Sequence, residues 1–287
     1  MAGTILGTLT IGQAPRGDVT PILDRYIPPS VERIHRGLLD GLSRDEIAGA
    51  YAAKPGAAVL VTRLSDGSSV QLSAQKVHCA LQGRLDALEA DGCNIVLLLC
   101  TGAFEGLRLS RGFLLEPDRI IPPAVAGLIR DRQLGIIVPV ASQITSESGK
   151  WKALERPPIF AAASPYTDTL GVVAATGVSH ARRGAQALLL DCIGFVEAHR
   201  RQLAHACGLP VILSNGPDGE NRRRDGRGMI RLFRSMFAML PLGRRNRYGL
   251  RKLVAHQAGA PHLTADAFFE LFADRWDRCA GTQGRAR

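Results

Sequence analysis

The sequence has no apolar run approaching the roughly 18 residues a membrane span needs. It also has no charged-then-apolar leader, since Met1 to Ile11 is short and passes directly into polar loop residues. These absences predict a cytoplasmic protein. No Gly-x-Gly-x-x-Gly or P-loop pattern follows a strand-like segment, and Ile11-Gly12-Gln13-Ala14 does not qualify, so no cofactor is expected. Aromatic residues are scarce, at 5% of 287 positions against 46% hydrophobic, which excludes wholesale disorder and describes a soluble chain rich in Ala, Leu, Val and Ile. Its length allows two modest domains or one large α/β unit.

Charge is unevenly spread. The net +10 is concentrated after residue 215, where 15 Lys or Arg face 7 Asp or Glu, against 21 and 19 before it. The first three-quarters therefore gives no reason to expect polyanion binding, and nucleic acid or an anionic membrane enters only through the tail. The six cysteines (Cys79, Cys93, Cys100, Cys192, Cys207 and Cys279) are scattered, which favours free thiols over a disulfide frame.

Apolar periodicity predicts alternating strands and helices. Thr4 to Ile11 reads as a strand, followed by a loop through Asp18 and a helix over Val19 to Tyr26. Ser43-Arg44-Asp45-Glu46 is a capping box opening a short helix. Val59 to Arg63 and Val70 to Leu72 form a hairpin across Ser-Asp-Gly-Ser. Helical spacing at positions 77, 81, 85 and 88 predicts a helix over Gln75 to Ala90, then a strand over Ile95 to Leu99. Gly102 to Phe113 is expected to return as loop and helix. Ile120 and Ile121 are read as a strand edge before a helix from Pro123 to Arg130. A second cycle follows: strand at Leu134 to Pro139, helix over Gln143 to Leu154, strand at Ile159 to Ala162, weaker helix within Asp168 to Arg183, strand at Gln186 to Leu190, helix over Val196 to Cys207 and strand at Val211 to Leu213. Such alternation implies a mostly parallel sheet covered on both faces, with ligands at the strands' C-terminal ends.

Two segments repeat each other. Gly92 leads through an apolar run to Cys100, with Gly102 two further on, and Gly184 leads in the same count to Cys192 and Gly194. Each thiol thus ends a buried strand, and two facing thiols can move a proton across a bound carbon, one as base and the other as acid. Standing ahead of a helix N-terminus, each thiol is expected to have a lowered pKa. The backbone N–H groups of Thr101, Gly102, Ile193 and Gly194 would face the cleft as donors to a carboxylate or enolate. Thr10 and Arg16, after the first strand, and Ser214 and Asn215, after the last, are further candidates for holding a substrate carboxylate. Each has a plainer alternative: packing for the cysteines, solvation for Arg16, loop capping for the last two. Zinc at Cys192, His199, His205 and Cys207 is disfavoured, because six-residue spacing puts the histidines on different helix faces.

Leu9-Thr10-Ile11-Gly12-Gln13-Ala14-Pro15-Arg16, Arg119-Ile120-Ile121-Pro122-Pro123, Gly135-Ile136-Ile137-Val138-Pro139-Val140, Lys150-Trp151 and Leu190-Asp191-Cys192-Ile193-Gly194-Phe195 together resemble the AroM family over about residues 4 to 215. The resemblance implies a branch of the aspartate/glutamate racemase superfamily. Its members place two cysteines in a cleft between pseudo-symmetric α/β halves and use no cofactor. The corresponding organisation is an N-terminal half over residues 1–128 with a hairpin insertion, a C-terminal half over 129–215, and a basic extension over 216–287. The implied activity is racemase- or isomerase-type proton transfer on a small carboxylate, with homo-oligomerisation left open. A non-catalytic small-anion binder, or a polyanion- or membrane-binding tail, are the alternatives. The tail carries a candidate basic amphipathic helix with Met229, Leu232, Phe233, Met236, Phe237 and Leu240 on one face and a second helix over Thr264 to Trp276, or else is a poorly ordered or frame-shifted extension.

Overall fold

A computed structural model describes residues 4–215, without the side chains of residues 25 and 26. These residues fall in one compact unit. The expectations for residues 216–287 lie outside the described residues.

The chain alternates strand and helix. Its elements are β1 (Ile5–Thr10), α1 (Thr20–Tyr26), β2 (Glu32–Gly37), α2 (Arg44–Tyr51), β3 (Val59–Arg63), β4 (Ser69–Ser73), α3 (Ala74–Ala90), β5 (Ile95–Leu99), β6 (Phe113–Leu115), α4 (Pro117–Ile129), β7 (Leu134–Val138), α5 (Ser142–Glu147), β8 (Ile159–Ala162), α6 (Leu170–Arg182), β9 (Ala187–Leu190), α7 (Glu197–Cys207) and β10 (Val211–Leu213). Two four-stranded parallel sheets result, in orders β2-β1-β5-β6 and β8-β7-β9-β10. Read in chain order the two topologies are the same, so β1 corresponds to β7 and β5 to β9. The β3–β4 hairpin is antiparallel and separate from both sheets.

Continuous apolar runs make the central strands. β5 and β7 are buried at every position, as strands covered on both faces must be. Against the first sheet α3 buries Val77, Leu81, Leu85 and Leu88, each contributing about 1.5–3 kcal/mol by removal from water. The second sheet is covered by Val173 of α6 and Leu203 of α7 on one face and by Ile121, Val125 and Ile129 of α4 on the other. The capping box of α2 forms as the residue types dictate: Ser43 accepts from the Glu46 N–H while the Glu46 carboxylate accepts from the Ser43 N–H at 2.8 Å.

The repeated glycines have a matching cause. Gly92 and Gly184 adopt φ of +92° and +90°, the left-handed conformation that ends α3 and α6. Both ends close with the same pair of bonds, Gly92 N–H to Glu89 O with Cys93 N–H to Leu88 O, and Gly184 N–H to Ala181 O with Ala185 N–H to His180 O. Each turn then feeds directly into a thiol-bearing strand.

Three local expectations are corrected. Ile120 and Ile121 lie inside α4, which starts at Pro117 and continues through Pro122 and Pro123. Two prolines remove two backbone donors, but the stripe Ile121, Pro122, Val125 and Ile129 buries against the second sheet and offsets that loss. No helix forms between Gly102 and Phe113. The Glu89 carboxylate accepts the consecutive N–H groups of Ser110, Arg111 and Gly112 at 2.6–3.1 Å, holding an irregular loop that delivers Phe113 to the sheet edge. The helix expected to reach Leu154 ends at Glu147 and tightens into a 3₁₀ turn over Ser148–Trp151.

Candidate active site

Both repeated thiols emerge where their strands end. Cys100 directly follows β5, and Cys192 stands two residues after β9. Each accepts a hydrogen bond from the amide two residues on: Gly102 N–H to Cys100 Sγ and Gly194 N–H to Cys192 Sγ, both 3.4 Å. Both glycines lie close to a neighbouring side chain, most tightly Gly194. A Cβ on Gly102 would lie 2.9 Å from Leu60 of the hairpin, and one on Gly194 would lie 2.3 Å from the Tyr166 ring.

Cys100 and Cys192 both line one small cavity of about 20 Å³, space for a single water. Thr101, Gly102, Ile193 and Arg16 also line it, as do Leu60, Val61 and Thr62 of the hairpin. A larger cavity, about 470 Å³, adjoins it and shares Val61 and Pro139 as walls.

Other expected residues lie elsewhere. Thr10 does not line the cavity; its hydroxyl accepts from Arg16 Nη1 at 3.3 Å and from the Gly12 N–H at 3.2 Å, so it supports Arg16. The Gly194 amide is turned onto the Cys192 sulfur. Asn215 donates from Nδ2 to the Ile193 and Phe195 carbonyls at 2.6 and 2.5 Å, bracing the Cys192 loop from behind. Ser214 is buried, its N–H on the Leu190 carbonyl. Both stay out of the cavity because β10 is the outer strand next to β9 rather than a wall of the chamber.

Arg16 is heavily engaged. Its Nε and Nη2 donate to Asp18 at 2.8 and 2.7 Å, Nη1 to Thr10, and Nη2 also to Tyr166 Oη at 3.2 Å. Of the five guanidinium N–H groups one remains for a ligand. Tyr166 Oη in turn lies 3.9 Å from Cys192 Sγ. Across the chamber a second ionic group forms around Lys150, whose Nζ is 2.8 Å from Asp191 Oδ2, 3.1 Å from Glu147 Oε2 and 2.8 Å from the Thr101 carbonyl.

The expected acidic thiols are not found. Burial pushes Cys100 up to about 12, with the Gly102 N–H working against it and the neighbouring Cys192 adding to it. Cys192 is also raised by burial, opposed by the Gly194 N–H, Tyr166 and Arg16. The reason is local: β5 is followed by an irregular loop to β6 rather than by a helix, and α7 begins only at Glu197, while the two residues are 8% and 6% exposed. Desolvation outweighs what a helix terminus contributes to a thiolate here.

Several cavity residues carried no local signal. Tyr166 sits in an irregular loop after β8, and the hairpin reaches the site only through the tertiary fold. Glu147 and Lys150 show an i,i+3 ionic spacing, but nothing along the chain says that it faces a cavity. Thr62 is fully buried and its hydroxyl makes no hydrogen bond among the described residues.

Comparison with solved structures finds distant likenesses. An arylmalonate decarboxylase aligns at 16% identity over 80% of this chain and 98% of its own, with a TM-score of 0.46. Glutamate racemase from Aquifex pyrophilus aligns at 13% over 74% and 80%, TM-score 0.47. The maleate isomerase Iso from Pseudomonas putida S16 aligns at 9% over 75% and 89%, TM-score 0.48. No curated protein matches in sequence. The family described as AroM protein matches residues 6–216, nearly three-quarters of the sequence and all but the first two described residues, and the chain belongs to that family.

Proposed function

We propose that this protein is a cofactor-independent proton-transfer enzyme of the racemase or isomerase type, acting on a small carboxylate with Cys100 and Cys192 as its acid and base. The observation that carries this reading is that two thiols in duplicated settings line the same chamber. A thiolate on one side takes a proton from the carbon next to the carboxylate, and the opposite thiol returns one to the other face. The remaining Arg16 N–H and the free hydroxyl of Thr62 supply donors for the carboxylate and for the enolate that develops from it.

The chamber as it stands holds only a water, so substrate enters from the larger adjoining cavity by displacing the hairpin wall at Val61. A high thiol pKa makes the base scarce near neutrality. Turnover therefore rises about tenfold per pH unit from 7 to 9, following the thiolate fraction. The test is deuterium incorporation from heavy water into a panel of α-amino and α-hydroxy acids. Wild type incorporates deuterium into at least one of them, and Cys192→Ser loses this by about a thousandfold.

A second reading, a small-anion binder without chemistry, is favoured by the same tightness and thiol protonation. It predicts thermal stabilisation by a ligand with no incorporation, unchanged in Cys192→Ser. That pattern across the panel defeats the enzymatic reading.

A further inference from the structure

The thiol pair has to be held at a fixed separation, yet its members belong to different sheets, 92 positions apart in sequence. One side chain joins their two loops. Resting on the proton-transfer reading above, we propose that Lys150 is the positioning residue that sets the two sulfurs relative to each other.

Its ammonium donates to the carbonyl of Thr101, the residue after Cys100, and is ion-paired with the carboxylate of Asp191, the residue before Cys192, each at 2.8 Å. Glu147 Oε2, at 3.1 Å, is a second ion-pair partner of the same ammonium. Among the described residues the only direct hydrogen bond between the two loops is the longer one from Thr101 Oγ1 to the Asp191 carbonyl, 3.5 Å. Lys150 is therefore the short, charged link across the gap.

The anchor behind the ammonium is firm. Lys150 lies on the 3₁₀ turn that ends at Trp151, which is 2% exposed and packs with Val125 and Ile136 in the core beneath the second sheet. Asp191 is itself fixed from the backbone side, its N–H on the Ile137 carbonyl of β7. The side chains of Lys150 and Asp191 are 8% and 2% exposed, so the link is little weakened by water or salt.

A buried ion pair is by itself poor evidence of stabilisation, because desolving both charges offsets their attraction. Apolar side chains could fill this space about as well. What an apolar replacement cannot do is grip a carbonyl and a carboxylate on two separate loops at once. That distinguishes placement of the thiols from general stability.

The experiment needs no substrate. Crystal structures of wild type and Lys150→Met give the Sγ–Sγ separation directly. Iodoacetamide labelling at pH 8, mapped by mass spectrometry, gives the accessibility of each thiol, with buried Cys93 as an internal control for global loosening. The expected result is a Cys100–Cys192 separation changed by about 1 Å or more, enough to cost about a hundredfold in a reaction that depends on placement. Labelling of Cys100 and Cys192 should rise about tenfold with Cys93 changed less than about twofold. Lys150→Arg should stay near wild type in both respects. Should Lys150→Met fold poorly, Lys150→Met/Asp191→Asn removes the charge pair together and is measured in the same way. An unchanged separation, or Cys93 becoming reactive in step with the other two, overturns the assignment. Because neither readout involves turnover, wild type lacking deuterium incorporation would defeat the enzymatic reading while leaving this result to stand or fall alone.

Discussion

The two thiol settings share a scaffold and differ in what covers them. Cys100 and Cys192 each follow a left-handed glycine and a buried strand, and each sulfur takes an N–H from the glycine two residues on. Above Cys100 lies the apolar edge of the hairpin, with Leu60 against Gly102. Beside Cys192 lies a phenol that is itself hydrogen-bonded by Arg16. Backbone geometry has been kept in both halves while the covering side chains diverged. The consequence is chemical asymmetry: nothing but an amide and the more distant Lys150 opposes the burial of Cys100, whereas Cys192 has Tyr166 and Arg16 as well. On this account Cys192 gives up its proton first and acts as the base, and Cys100 starts as the acid.

That asymmetry can be broken from either side. The largest effect is expected from exchanging the thiols singly. From the enantiomer whose proton faces Cys192, Cys192→Ser should lose deuterium incorporation by about a thousandfold, while Cys100→Ser should lose inversion by a similar factor and any deuterium it still incorporates should keep the original configuration. Chiral chromatography with mass detection separates the two outcomes, and equal behaviour of both variants would remove the assignment of base and acid.

Tyr166→Phe should have a smaller effect. It deletes the hydroxyl shared by Arg16 and Cys192, so the pH dependence of turnover should move to higher pH and the rate at pH 8 should fall about tenfold. An unchanged pH profile would place Tyr166 in packing alone.

The stability of the fold offers a milder comparison. Both thiols have raised pKa values in the folded chain, so the folded state retains protons that the unfolded chain releases. Each contribution is fully present below the ordinary thiol value of 9.0 and is lost as pH rises through the folded value, about 12 for Cys100, by up to about tenfold in the folding constant per pH unit for each thiol. Denaturant titrations between pH 8 and 10 should show this slope, and Cys100→Ala should flatten it. A slope unchanged in Cys100→Ala would mean that other groups dominate.

Much of the architecture was legible because it depends on local pattern. The period-3.6 spacing of Val77, Leu81, Leu85 and Leu88 marks α3, and the glycine–strand–cysteine–glycine repeat marks the duplicated topology. Local rules failed where a tertiary contact decided the outcome. The prolines of α4 look like breakers until the buried stripe around them is known, and the loop before β6 depends on a carboxylate more than twenty residues away. The site was legible as a pair of thiols but not in its surroundings. Tyr166, Lys150 and the hairpin meet Cys192 and Cys100 only in three dimensions, and the burial that raises the thiols has no signature in the flanking residues.

The most direct test of the two-thiol account starts from a single enantiomer of whichever panel acid incorporates deuterium and follows the first few per cent of conversion in heavy water. Transfer across the chamber by two different thiols predicts that the newly formed enantiomer carries deuterium at the reacting carbon while the recovered starting enantiomer carries almost none. Deuterium appearing equally in both enantiomers would mean that one group serves both faces, and would contradict the account.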